Sequence, residues 1–185
     1  IGIDHFSKET DKLAKAAKGR TLGRNLNGYT TDRTYDVELG LGPSSIGCFG
    51  RFYAQSIKTL PEYYQALDAG KFPILRGYRL TDDDIIRRDV ILRIICNGYV
   101  SKKEIEQQHK IAFDDYFAVE LASLKNYIDD GLVEVTAEAV NVHPVGRFFV
   151  QHIAREFDKY LRDKSKSYVR THEAIKKHIE GAAKS

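Results

Sequence analysis

From Thr81 onward the apolar positions recur at helical spacing. Ile85, Ile86, Val90, Ile91, Ile94 and Ile95 form one broad stripe, the pattern of a helix that buries a face. Thr81 is a good N-cap, and Asp82, Asp83 and Asp84 put negative charge at the positive end of the helix dipole. Asn97-Gly98 closes the run. Ser101-Lys102-Lys103-Glu104 is a capping-box pattern and predicts a short helix to about His109. Phe113, Phe117, Leu121 and Leu124 predict a third helix over 113–128, stopped by Asp130-Gly131. Leu132–Val135 and Val140–Val142 predict two short strands around a tight turn, and Gly146 to about Leu161 a last amphipathic helix. Three helices, a two-stranded ribbon and a helix make a winged-helix-like module.

The first half reads differently. Eight of the fourteen glycines lie in the first 50 residues, so long uninterrupted elements are not expected there. Ile1-Gly2-Ile3 could end a strand. Lys8 to Lys18 is helix-friendly, with Gly19 as a stop. Residues 20–35 are rich in Gly, Asn and Thr and predict a loop with little regular structure. Tyr35 to Gly42 alternates and ends in glycines, which predicts a strand running into a turn where backbone approaches something closely. Thr59-Leu60-Pro61-Glu62 predicts a helix start, with Asp68-Ala69-Gly70 as its end. Residues 72–79 predict an extended segment.

Composition narrows the classes. The chain has 185 residues, enough for one domain, or one small domain plus part of another, at about 100–200 residues each. Its 42% hydrophobic and 30% charged content is that of a soluble globular chain. No uncharged apolar run approaches the roughly 18–20 residues of a membrane span. The opening carries Asp4 and His5 where a signal peptide would be apolar. Cys48 and Cys96 exclude a disulfide framework and are too few for an iron–sulfur cluster, which takes about four ligands. With no methionine, Ile1 reads as a cut end. The net charge of +3 is uneven: residues 159–185 carry +5 and the rest −2. A basic end weakly suggests an anionic partner, but a solvated helix face explains it as well.

The candidate chemistry is modest. A DNA-reading helix needs basic and amide side chains. The third helix instead carries Asp114, Asp115 and Glu120, with Asp129 and Asp130 at its end and Lys125 its only base, and acids there repel phosphate. Nucleic acid is therefore not an expected partner. Asp4-His5 could transfer protons or be structural. The remaining histidines have no tight metal spacing, so no metal site is expected. Gly40-Leu41-Gly42 lacks the later spacing of a dinucleotide fingerprint. Arg24, Arg76, Arg79 and Arg87-Arg88 could meet carboxylates or simply sit on the surface.

Several strings, in order, resemble the oxygen-independent coproporphyrinogen III oxidases of the radical S-adenosylmethionine (SAM) class. They include Ile1-Gly2-Ile3-Asp4-His5-Phe6, Arg24-Asn25-Leu26-Asn27-Gly28-Tyr29-Thr30-Thr31, Leu39-Gly40-Leu41-Gly42, Tyr53-Ala54-Gln55, Ile86-Arg87-Arg88-Asp89 and Ile95-Cys96-Asn97. The likeness runs to about Arg162. It implies an enzyme that oxidatively decarboxylates two propionates of coproporphyrinogen III to vinyls, giving protoporphyrinogen IX in heme biosynthesis. A 5′-deoxyadenosyl radical abstracts hydrogen from each propionate. The family's CxxxCxxC, which holds a [4Fe–4S] cluster, is absent here. The chain therefore resembles a C-terminal piece of a cytoplasmic enzyme, inactive alone, whose partner is the N-terminal part of the same polypeptide in a monomer. The implied architecture is an α/β remnant of a partial radical-SAM barrel over 1–50, a mostly α, winged-helix-like domain covering the substrate over 51–165, and a basic tail over 166–185.

The resemblance also implies roles. Asp4 and His5 match a pair at the barrel mouth and are the catalytic candidates. Ile46 matches a position lining the SAM adenosine pocket. Leu26 and Asn27 stand where the family has an aromatic–glutamine pair contacting a second SAM, and are smaller. Arg24, Arg76, Arg87 and Arg88 are substrate candidates by charge, to meet the propionates; Arg87 and Arg88 could instead pair with Asp83, Asp84 or Glu104. Related heme chaperones carry an Asn-x-x-Tyr-Trp pattern at the loop, whereas this chain has Gly28-Tyr29-Thr30 and no tryptophan. The chaperone and a nucleic-acid-binding winged helix stand as the alternatives.

Overall fold

The computed structural model describes residues 1, 5–32 and 37–162, so Asp4 and the basic tail lie outside the described residues. The chain divides into two compact units, residues 1–92 and residues from 93 on. The boundary expected after residue 50 falls instead in a turn between two paired strands.

In the first unit, helix α1 spans Lys12–Lys18 and buries Ala14 and Ala16. It begins later than the expected Lys8. The Asp11 carboxylate accepts the Leu13 N–H at 2.7 Å and so makes Asp11 the N-cap. The expected loop over 20–35 contains a small hairpin, β1 (Gly23–Arg24) paired with β2 (Tyr29–Thr30). Its turn is closed by the Asn25 side chain, whose Oδ1 accepts the N–H groups of Asn27 and Gly28, both at 2.9 Å. This Asx-type closure is local chemistry that composition alone does not distinguish from an open loop.

An antiparallel meander follows: β3 (Val37–Glu38), β4 (Ile46–Phe49), β5 (Phe52–Ser56) and β6 (Ile74–Arg79), in that spatial order. Gly40 lets the chain fold back between β3 and β4. A Cβ there would lie 2.8 Å from the Ile46 carbonyl, so this glycine serves the approach of the chain to itself. Helix α2 (Leu60–Asp68) lies between β5 and β6 and starts and stops as the sequence predicts. Helix α3 (Asp82–Asn97) opens on a reciprocal cap. Thr81 Oγ1 accepts the Asp84 N–H at 3.1 Å, and Asp84 accepts the Thr81 N–H at 2.9 Å. Strand pairings among the described residues are all antiparallel.

The second unit holds the end of α3, then β7 (Tyr99–Ser101) and α4 (Lys102–His109). Ser101 caps α4, its Oγ accepting the Glu104 N–H at 3.3 Å, while the Glu104 carboxylate goes to Arg93 and leaves the capping box half made. The expected third helix is three short ones: α5 (Phe113–Tyr116), α6 (Ala118–Ser123) and α7 (Lys125–Asp129). The breaks fall at Phe117 and Leu124, both fully buried. Phe117 packs edge-on against Tyr116 at 4.9 Å and Phe157 at 5.4 Å, so core packing competes with helical continuity there. Strands β8 (Val133–Val135) and β9 (Ala139–Val142) appear as predicted, but β9 is central and also pairs β7. The last helix is interrupted too. A 3₁₀ turn over Val145–Phe149 leads into α8 (Val150–Arg155). Asp158 Oδ1 then accepts the Tyr160 N–H at 2.8 Å and caps a separate α9 (Lys159–Arg162).

A candidate cleft on the meander

Side chains alternate between the two faces of a strand. In β5 this puts Tyr53 and Gln55 on one face and Phe52 and Ala54 on the other. The register then extends that face. Cys48 and Tyr78 lie opposite Tyr53, Ile46 and Arg76 lie opposite Gln55, and Glu38 lies opposite Cys48. The loop after β1 contributes Asn25 and Leu26, and α3 contributes Arg88.

Two adjoining clefts result, one of about 200 Å³ and one of about 420 Å³. The smaller is lined by Arg24, Asn25, Leu26, Glu38, Cys48, Tyr53 and Arg88, among others. The larger is lined by Leu26, Ile46, Gln55, Arg76 and Tyr78, with Tyr53 and Ala54. Leu26 and Tyr53 line both.

The charge here is mostly positive. Arg88 donates from Nη1 to the Tyr53 hydroxyl at 3.1 Å. Burial works against its charge, but the bond to Tyr53 and the neighbouring Cys48 thiol outweigh that, and its pKa stands above the ordinary guanidinium value. Arg76 Nε donates to Gln55 Oε1 at 2.8 Å, a cross-strand pair that aims the guanidinium along the sheet face. Arg24 stacks 5.2 Å over the Tyr29 ring. Glu38 is the acid of the cleft lining. A pair of clefts with arginines on an apolar and aromatic floor can bind a carboxylate-bearing, largely apolar ligand.

The sequence candidates divide. Arg24, Leu26, Ile46, Arg76 and Arg88 come together at the clefts. Asn27 sits beside them and donates from its side-chain amide to Glu38. Arg87 does not line either cleft; its Nε donates to Asp83 Oδ1 at 2.8 Å, the structural pairing foreseen as its alternative. Glu104 pairs instead with Arg93. His5 is exposed and meets Tyr29 edge-on at 5.1 Å, outside the cleft lining. Tyr53, Gln55, Tyr78, Cys48 and Glu38 were not site candidates from sequence. The available signal was the alternation in Phe52–Ser56, which shows its partners only once the register is known.

Among the described residues no group of three or more His, Cys, Asp or Glu side chains could hold a metal ion. Cys48 and Cys96 are both buried free thiols. The residues present thus do not fit an iron–sulfur cluster. Ile46 lines the larger cleft and is 41% exposed. Among the described residues no helix is long and apolar enough to cross a membrane.

Residues 80–149 match the HemN C-terminal domain. The chain is 43% identical over 170 residues to an oxygen-independent coproporphyrinogen III oxidase of Synechocystis sp., covering 90% of this chain and 36% of the relative. It is likewise 43% identical over 166 residues to the oxygen-independent coproporphyrinogen III oxidase of Escherichia coli, covering 90% of this chain and 36% of that protein. The solved structure of coproporphyrinogen III oxidase (HemN) from Escherichia coli, described as a radical SAM enzyme, superposes with a TM-score of 0.84 at 43% identity, over 87% of this chain and 37% of that one. The resemblance read from the sequence is thereby shown. The chain spans little more than a third of the length of these relatives.

Proposed function

We propose that this chain is the C-terminal part of an oxygen-independent coproporphyrinogen III oxidase, and that its meander supplies a wall of that enzyme's active site. The observation that carries this reading is the gathering of Arg24, Arg76 and Arg88 with Leu26 and Ile46 around adjoining clefts, in a chain 43% identical to such oxidases.

In this reading the arginines bind the propionates of coproporphyrinogen III through charge-assisted hydrogen bonds. Arg76 is held by Gln55 and Arg88 by Tyr53, so both forks are oriented before substrate arrives. Ile46 and Leu26 give apolar contact to the adenosyl group of SAM. A bound SAM and a [4Fe–4S] cluster held elsewhere in the polypeptide would supply the one-electron chemistry. The residues here bind and orient, and they keep water from the reacting carbon. Asp4 and His5 stay the candidate proton-transfer groups of this reading. From Asp82 to Val142 the order helix, strand, helix, helical segment and two strands supports reading this stretch as winged-helix-like. The parent is proposed to be a cytoplasmic monomer.

The test is an anaerobic assay of the full-length protein with coproporphyrinogen III and SAM. Protoporphyrinogen IX is expected, and Arg76→Gln should raise the KM for the porphyrinogen. Stoichiometric heme uptake without turnover would overturn the oxidase reading in favour of a chaperone.

A further inference from the structure

Leu26 lines both clefts, yet 47% of it is exposed. Burial therefore does little to hold it. The turn that carries it is closed on itself by Asn25, whose Oδ1 takes two backbone N–H groups. That closure makes the turn a rigid unit but does not tie it to the sheet.

Glu38 makes the tie. Its Oε2 accepts the Leu26 backbone N–H at 3.2 Å, and its Oε1 accepts from the Asn27 side-chain amide. One carboxylate thus grips the turn at two adjacent residues, one through backbone and one through side chain. Glu38 belongs to β3 and pairs in register with Cys48, which lines the smaller cleft. The turn is thereby referenced to the sheet that forms the cleft floor.

We propose that Glu38 is a positioning residue, whose carboxylate fixes the Asn25–Gly28 turn over the meander so that Leu26 faces the clefts, with Asn27 beside them, in one geometry. The inference that this geometry serves SAM binding rests on the function proposed above. The physical reason is preorganisation: a wall that is already ordered loses less freedom when a ligand arrives. The smaller Leu26-Asn27 pair has less contact area than an aromatic–glutamine pair, so its placement matters more.

The test uses the full-length protein with Glu38→Leu, Glu38→Gln and Asn27→Asp. Hydrogen exchange is read at residue resolution, and the KM for SAM is measured beside kcat. In Glu38→Leu the Leu26 amide should exchange about tenfold faster or more, while the Cys48 amide in the sheet keeps its protection. The KM for SAM should rise about tenfold with kcat little changed. Glu38→Gln retains an acceptor oxygen and should restore part of both effects. Asn27→Asp sets a second carboxylate against Glu38 and should reproduce the loss. Unchanged Leu26 exchange in Glu38→Leu overturns the proposal, as does an equal loss of protection at Cys48, which would mark general unfolding. Faster Leu26 exchange with an unchanged KM supports the clamp and overturns the assignment of Leu26 and Asn27 to SAM.

Discussion

The Arg88 guanidinium donates to the Tyr53 hydroxyl at 3.1 Å, joining a helix to the middle of a sheet across 35 positions of sequence. Both residues line the smaller cleft, so the bond shapes a binding surface as well as stabilising the first unit. Tyr53→Phe removes the acceptor from a half-buried cation and should cost about 1–2 kcal/mol. Equilibrium unfolding of the full chain checks this. The raised pKa of Arg88 means that the stability it contributes is fully present below the unfolded-state value and is lost only as pH rises past the folded one. The difference between wild type and Tyr53→Phe should therefore stay constant from about pH 6 to pH 7.5, far below the range in which a guanidinium titrates. A difference that shrinks within that window would contradict the assignment.

Arg87 and Arg76 should part company on substitution. Arg87 forms a pair with Asp83 at i,i+4 spacing, and pairs of this kind are worth about 0.3–0.5 kcal/mol. Arg87→Gln is expected to lower stability by about that amount and leave the KM for the porphyrinogen unchanged in the full-length protein. Arg76→Gln is expected to raise that KM while stability stays within about 0.5 kcal/mol. Denaturation and steady-state kinetics on the same two variants decide the matter.

Gly146 packs where a side chain cannot fit. A Cβ there would stand 2.1 Å from the Leu132 carbonyl oxygen, a contact that only backbone movement relieves. Gly146→Ala should cost about 1–3 kcal/mol or more. Gly131→Ala meets open space and pays only for a φ of +68°, about 1 kcal/mol. The thermal midpoint of Gly146→Ala should lie below that of Gly131→Ala, and the reverse order would refute the packing account.

Lys102 is buried, and its ammonium reaches Asp114 at 2.5 Å and the Phe113 ring at 5.8 Å. Asp114 is more than half exposed, so solvent screens the pair and its loss falls short of that of a fully buried one. Asp114→Asn leaves the buried ammonium without its counter-ion and should cost about 1–3 kcal/mol. Lys102→Met together with Asp114→Asn should recover most of it. A double variant no more stable than Asp114→Asn would show that the cation–ring contact, rather than the charge imbalance, dominates.

The division between what sequence carries and what folding adds follows the range of the interactions. Two helix starts were legible because their caps are built from neighbours: Thr81 with Asp84, and Ser101 with Glu104, meet within three residues. Long-range packing was not legible, so the helix expected over 113–128 is broken at Phe117 and Leu124, where burial in the core outweighs continuity. Strand β7 was missed because three residues between a helix stop and a capping box show no alternation; its identity comes from pairing with β9.

The cleft divides in the same way. The sequence by itself determined which residue types were present: a series of arginines, an isoleucine after a glycine turn, and an order of strings resembling one enzyme family. Only the tertiary structure decided which of them meet. Alternation says that Tyr53 and Gln55 share a face, but only register puts Cys48, Ile46, Tyr78 and Arg76 on it. Arg88 and Arg87 are adjacent and chemically identical, yet the turn of the helix sends one to Tyr53 and the other to Asp83. Successive helical residues point about 100° apart, and that rotation separates a residue lining the cleft from one that braces its own helix.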